Sequence, residues 1–283
     1  MDVRKCVFFL MLVPIAAFAQ QLLTADQIMA RVAANQDKAV ELRAHYVYKQ
    51  HAHTSSLKTN GKLMREEIDD YDVFPTPKGV DRKLLTLSGR YFHKGKYIDF
   101  HGEPIPYADT IDADLTHDWM HDKDQQTTRD GVESHLFPLT TGRQARYDFH
   151  LIGETTMNGR PVYHIGFEPK DKKDYDWKGE AFIDKAEFQP VTVFTKMSRK
   201  LPFFVRGVMG VDLPGIGFSV TYLRVEEGVW FPETFGTEFE LDLFHFFSRT
   251  VTVSLKNSDF QKTHVDTKID IPVASAPPPA AHP

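Results

Sequence analysis

At Ala44 the apolar period of the chain changes from 3.6 residues to 2, and from there short alternating runs recur with turn residues between them. A helix-first, strand-later order limits the fold to a sheet with one covering helix. Before the change, Thr24-Ala25-Asp26-Gln27 reads as a capping box, with Thr24 as N-cap and Gln27 at the third helical position. Ile28, Val32, Asn35, Ala39 and Leu42 follow at four- and three-residue spacing, which predicts one amphipathic helix over 25–43. Ala30, Ala33 and Ala34 beside that stripe let it lie close to a sheet. After the change, Tyr46, Tyr48 and Gln50 alternate with His45, Val47, Lys49 and His51, which is strand behaviour.

The remaining strands are marked by their turns. Asn60-Gly61 precedes a mostly polar strand from Lys62 to Phe74, and its Glu66, Glu67, Asp69 and Asp70 predict a position near an edge or open to water on both sides. Arg82 to Leu87 and Tyr91 to Phe100 read as two more short strands, the second split at Gly95. Residues 102–144 lack sustained alternation and carry Asp109, Asp112, Asp114, Asp118, Asp122, Asp124 and Asp130. This is an acidic connection with one or two short helices, the better one around Asp114 to Asp122. Arg146 to Glu168 is a hairpin about Asn158-Gly159, a pair suited to the positive φ angles of a type I′ turn. Lys178–Asp184, Pro190–Lys196, Gly217–Val225, Val229–Leu241 and Phe246–Lys256 complete an antiparallel meander.

Composition narrows the function classes. A net charge of -5, from 34 basic and 39 acidic residues scattered along the chain, leaves no basic footprint, so nucleic acid is not an expected partner. Arg4 and Lys5, the apolar run Cys6 to Phe18, and Ala17-Phe18-Ala19 read as a secretory signal peptide over 1–19, cleaved after Ala19. The run is too short to span a bilayer. Cleavage would remove the single Cys, and a periplasmic location follows as the expectation. The mature chain then reads as one domain over 20–271, followed by a Pro-rich disordered tail over 272–283.

Phe accounts for 22 residues, and many of them follow Phe182. In the late strands Phe235, Phe239, Leu241 and Leu243 share one parity, opposite Glu238, Glu240 and Asp242. Phe247, Val251, Val253 and Leu255 are opposed in the same way to Ser248, Thr250, Thr252 and Ser254. Between them, residues 201–217 hold Phe203, Phe204, Met209, Leu213 and Ile216 in a stretch broken by Gly and Pro. An apolar broken loop beside a curved sheet is either a lid over an apolar cavity or a plug in an ordinary core. The candidate ligand-binding residues are therefore Phe203, Phe204, Met209, Leu213, Ile216, Phe235, Phe239 and Leu241.

Catalytic signals are sparse. His117 and His121 stand four apart, the spacing of a histidine metal pair on a helix, but no Glu follows His117 in the zincin manner, so they are weak metal candidates. His51 and His53 share one strand face and are weaker still. Glu66-Glu67 and Asp69-Asp70 alternate faces, as a solvated strand does. Neither a Gly-x-Ser-x-Gly elbow, a Walker loop nor a dinucleotide fingerprint is present, so no cofactor and no catalytic residue is expected. A metal-dependent hydrolase built on the two histidines is the third reading.

Leu42-Arg43-Ala44-His45-Tyr46 resembles the helix-to-strand junction of the LolA-like lipoprotein-carrier superfamily. The stretch from Asn158 to Lys170, Gly179 to Asp184, Phe188 to Val191 and Gly228-Val229-Trp230-Phe231-Pro232 resembles strands and turns of its outer-membrane lipoprotein-sorting branch. The resemblance spans about Thr24 to Ile271 and is made of turn and strand punctuation. It implies a strongly curved antiparallel sheet, an incomplete β-barrel under a helix (mainly β, α+β), whose concave side holds acyl chains. On that reading the protein is a non-catalytic carrier or binding protein for a lipid or lipoprotein, with transient membrane contact. The alternative is a periplasmic sensor or interaction module with an envelope protein as partner. The acidic 102–144 segment, the 201–217 insertion and the Pro-rich tail depart from the family pattern.

Overall fold

The computed structural model of the protein describes residues 22–76, 79–102, 112, 137–173, 176–198, 211–212, 216–243 and 247–263. Thr24 opens the first element, α1 (Ala25–Arg43). Its hydroxyl accepts from the Gln27 amide, and the Gln27 side chain accepts from the Thr24 amide. This reciprocal pair satisfies two donors that a helix start leaves open. The face turned inward comprises Ile28, Met29, Val32, Ala33, Gln36, Ala39 and Arg43, while Leu42 is 43% exposed. The last turn of the stripe thus lands on Arg43 rather than on the predicted Leu42. Arg43 is held there by donating from Nε to the Trp230 carbonyl and from Nη2 to Gln36 Oε1 at 3.1 Å, with its guanidinium 5.7 Å from the Phe231 ring centroid.

The strands are β1 (Tyr46–Leu57), β2 (Leu63–Thr76), β3 (Gly79–His93) and β4 (Lys96–His101). After a one-turn helix α2 (Thr141–Gln144) come β5 (Tyr147–Met157), β6 (Arg160–Pro169), β7 (Trp177–Asp184), β8 (Pro190–Met197) and the two-residue β9 (Val211–Asp212). The last three are β10 (Gly217–Glu226), β11 (Val229–Leu243) and β12 (Phe247–Lys262). They form one antiparallel sheet in the order β4-β3-β2-β1-β12-β11-β10-β8-β7-β6-β5, with β9 pairing β11 beside that row. Among the described residues no strand pairs with the outer edge of β4 or β5, so the strongly curved sheet is an incomplete barrel. Register shifts at Val47/Lys49, Asp70/Tyr71, Leu151/Gly153, Phe182/Ile183 and Thr221/Tyr222 supply the bending, because each bulge adds local twist.

Two strand expectations change. The polar strand β2 is interior, paired with β1 on one side and β3 on the other. Its inward Arg65, Glu67 and Asp69 are buried, and its outward Glu66 and Asp70 meet cations or hydroxyls of neighbouring strands. Polarity did not mark an edge because the carboxylates are matched on both faces. The split expected at Gly95 is there, as a turn with Lys94 and Gly95 at positive φ (45° and 85°), but the chain before it is one long β3 rather than two short strands, with a short β4 after it. The Asn158-Gly159 hairpin forms as expected, with φ of 51° and 76°.

Helix α1 lies on the concave face towards β5 and β11. Asp184 Oδ1 accepts from the Ala186 and Glu187 amides, shaping the β7–β8 turn, and Asn35 Nδ2 then donates to the Glu187 carbonyl at 2.8 Å. Gln36 bonds Gln189 beside it. The turn thereby fixes the helix across the sheet. Ile28, Met29 and Val32 join Ile165, Ala181, Val193, Val220, Phe235 and Val253 in one apolar core.

Candidate functional site

The concave face can be read rung by rung, because directly paired residues share a face. One rung crosses all eleven strands of the row: Phe100, Gly89, Glu67, Thr54, Val253, Thr237, Phe218, Thr195, Gly179, Phe167 and Phe149. A second runs Asp69, Ala52, Leu255, Phe235, Val220, Val193, Ala181, Ile165. From β12 towards β5 both rungs are mostly apolar, and from β1 towards β3 they turn polar. The face is divided: an apolar half under α1, and a half on β1, β2 and β12 bearing buried charge.

The polar half is highly connected. Arg249 donates from Nε to Asp112 Oδ1 at 2.7 Å and from Nη2 to Oδ2 at 3.1 Å, a bidentate pair, and Ser56 Oγ donates to the same Oδ1 at 2.6 Å. Arg65 Nη2 lies 2.7 Å from Glu67 Oε2, with both side chains 1% exposed, and the guanidinium sits 4.7 Å from the Phe100 ring centroid. Gly89 makes that arrangement possible, since a Cβ there would collide with the Phe100 ring and the Glu66 carbonyl. Gln50 Nε2 donates to Asn257 Oδ1 at 2.9 Å, and Asn257 Nδ2 donates to the Pro232 carbonyl at 3.0 Å. The Tyr71 hydroxyl donates to Asp69 Oδ2 at 3.2 Å, and burial first, then the Asp69 charge, pushes that phenol well above its ordinary value.

Of the candidate ligand residues, Ile216, Phe235 and Phe239 are buried members of the core cluster on the concave face. Leu241 stands opposite Arg249 in the β11–β12 register. Phe203, Phe204, Met209 and Leu213 lie outside the residues whose side chains are described, as do His117, His121 and the helix expected around Asp114 to Asp122. His51 and His53 face outward, where His51 Nδ1 is 2.8 Å from Asp70 Oδ1 and His53 Nε2 is 3.6 Å from Glu66 Oε2. A hydrogen bond from the Thr86 hydroxyl, then His51, holds the Asp70 carboxyl below its ordinary range. Among the described residues no three His, Cys, Asp or Glu side chains gather as a metal site.

The sequence reading missed the polar half of the concavity. The signal was parity: Arg249 and Asn257 share the phase of Val251 and Val253, and Arg65, Glu67 and Asp69 that of Tyr71 and Val73. Between α1 and the β7–β8 and β10–β11 turns, an open groove of about 370 Å³ is lined by Asn35, Lys38, Leu42, Glu187, Arg224 and Glu227, among others. Its Arg224 and Glu187 pair with each other at 2.7 Å. The candidate site is the concave face, where the apolar half under α1 meets the buried charges of β1, β2 and β12.

No family model matches the chain, and no curated protein matches it. Solved structures do resemble it. A DUF1329 family protein from Desulfovibrio piger is 12% identical, with 88% of this chain and 95% of that one covered and a TM-score of 0.36. A putative outer membrane lipoprotein-sorting protein domain from Vibrio parahaemolyticus is 12% identical over 86% of this chain and 95% of that one, also with a TM-score of 0.36. A LolA superfamily protein from Nitrosomonas europaea is 13% identical over 86% and 94%, with a TM-score of 0.35. At these values the likeness is one of overall layout and says nothing of function.

Proposed function

We propose that the protein is an exported, non-catalytic carrier or binding protein for a lipidic or lipoprotein ligand held against the concave face. The observation that carries this reading is the one-sidedness of an open curved sheet: Phe218, Val220, Phe235, Phe239, Val251 and Val253 all turn to the same side. Ile216, Phe235, Phe239 and Leu241 would line the ligand, with Phe203, Phe204, Met209 and Leu213 from the 201–217 stretch over it. Each buried methylene of an acyl chain would contribute about 0.8 kcal/mol, so a chain of roughly a dozen carbons outweighs its ordering cost.

The test is to purify the protein from cells and analyse an organic extract by lipid mass spectrometry, then repeat with Phe239→Glu. An amphiphile at near-stoichiometric amount in the parent, and its loss in a variant that still folds, is the expected result. Failure to recover or load any amphiphile would remove the reading. A periplasmic sensor or interaction role is favoured by a different observation, the edge of β4, unpaired among the described residues, with Tyr97 and Ile98 exposed. Crosslinking in the periplasm that captured one stoichiometric protein and no lipid would decide for it.

A further inference from the structure

Among the charged side chains described on the concave face, Arg82 stands apart. It opposes Val73 across the β2–β3 pair, and Val73 in turn opposes Tyr48 on β1, so Arg82 shares the inward side of this rung. The Arg65 guanidinium pairs with Glu67, and the Arg249 guanidinium with Asp112. Arg82 has no ion pair and no hydrogen bond among the described residues, and its Nε is shut off from solvent with nothing to donate to. The titratable groups that face it are two phenols, Tyr48 and Tyr71, neutral at ordinary pH, and burial lowers its pKa from the ordinary value. The carboxylates on the same face lie further along β2: Asp69 is four residues from Val73, about 13 Å at strand rise, and Glu67 is farther still. Asp69 already takes the Tyr71 hydroxyl, and Glu67 already takes Arg65.

Arg82 is half-buried, and a guanidinium partly withdrawn from water with its Nε unpartnered and no counter-charge beside it is stabilised when an anion reaches its N–H donors. Around it the walls are aromatic: Tyr48 lies 5.4 Å from Phe260 and 5.8 Å from Phe231, centroid to centroid. An apolar aromatic wall beside a half-buried guanidinium whose Nε has no acceptor matches a molecule with an acyl body and an anionic oxygen head. Carboxylate and phosphate oxygens both suit the planar fork.

Resting on the lipid-binding reading above, we propose that Arg82 is the head-group residue of the concavity, selecting amphiphiles that carry a carboxylate or phosphate over neutral ones. The probes are palmitate and hexadecanol, equal in chain length and different in charge, titrated below their aggregation concentrations into the delipidated full chain at pH 8. The parent should bind palmitate at least about tenfold more tightly than hexadecanol, the scale of a charge-assisted hydrogen-bonded contact. Arg82→Gln should bring palmitate down to the hexadecanol level while leaving hexadecanol unchanged, and Arg82→Lys should keep part of the preference. Equal binding of the two probes by the parent, or a preference that survives Arg82→Gln, overturns the assignment of Arg82 and leaves lipid binding standing. Binding of neither probe defeats the lipid-binding reading itself. Inorganic phosphate should compete only weakly with palmitate; displacement at matching concentrations would assign the site to a free anion and overturn the lipid head group. If Arg82→Gln does not fold, the palmitate-to-hexadecanol ratio of the parent and of Arg82→Lys decides.

Discussion

Arg249 shows how much a single inward polar residue governs here. It is buried, grips Asp112 with two donors, and occupies the same phase as Val251 and Val253. Removing one partner of such a pair leaves the other charge buried and alone, which costs about 3–5 kcal/mol, whereas replacing both by apolar groups is often close to neutral. Arg249→Leu should therefore lower the urea-unfolding free energy by about 3 kcal/mol. Asp112→Leu added to it should restore most of the loss. If the single variant unfolds like the parent, the pair is not formed in solution. Parity with Val251 and Val253 was the one signal that could have located this residue, but nothing in the sequence pointed to its partner, 137 positions away and inside a stretch that read only as an acidic connection. Charge pairing across such a distance is a product of topology, and local pattern does not encode it.

At the scale of elements, the helix was the most legible part because its start is chemically explicit. Thr24→Ala deletes the hydroxyl that accepts from the Gln27 amide and should cost about 1 kcal/mol, read as a lowered midpoint in thermal or urea unfolding. Replacement by Ser should retain most of it. The hairpin at Asn158-Gly159 was equally explicit, since positive φ demands particular residues. β2 was misplaced for a physical reason: a strand whose two faces are both polar looks solvated until its partners are known. The candidate site divides the same way. Alternation put Phe235 and Phe239 on the inner face, while Arg82 carried no local mark because its meaning is the lack of a neighbouring carboxylate.

For the molecule as a whole, the decisive pairing is β1 with β12, which runs from Tyr46↔Lys262 to Leu57↔Thr250. It joins a block of four strands, β4 to β1, to the block from β11 to β5, and nothing else in the strand order bridges them. A chain ending before Phe247 should lose the cooperative unfolding transition of the parent, seen as a broad, shallow urea curve, rather than shed one peripheral strand. An intact sharp transition would mean that the later block folds without the earlier one. Pairings at such sequence separation also slow folding, because the loop must close before the contact repays it.

The position of β12 has a temporal meaning as well. Of the described strands it is the last to be synthesised, yet it is inserted at the middle of the row. Until it arrives, the inward sides of β1 and β11 belong to no common surface, and Thr54, Val253 and Thr237 are not yet neighbours. A nascent chain that has not yet reached β12 therefore has no assembled concave face. If the concave face takes a ligand as proposed, binding would have to await completion of β12, and with it of the chain through Lys262.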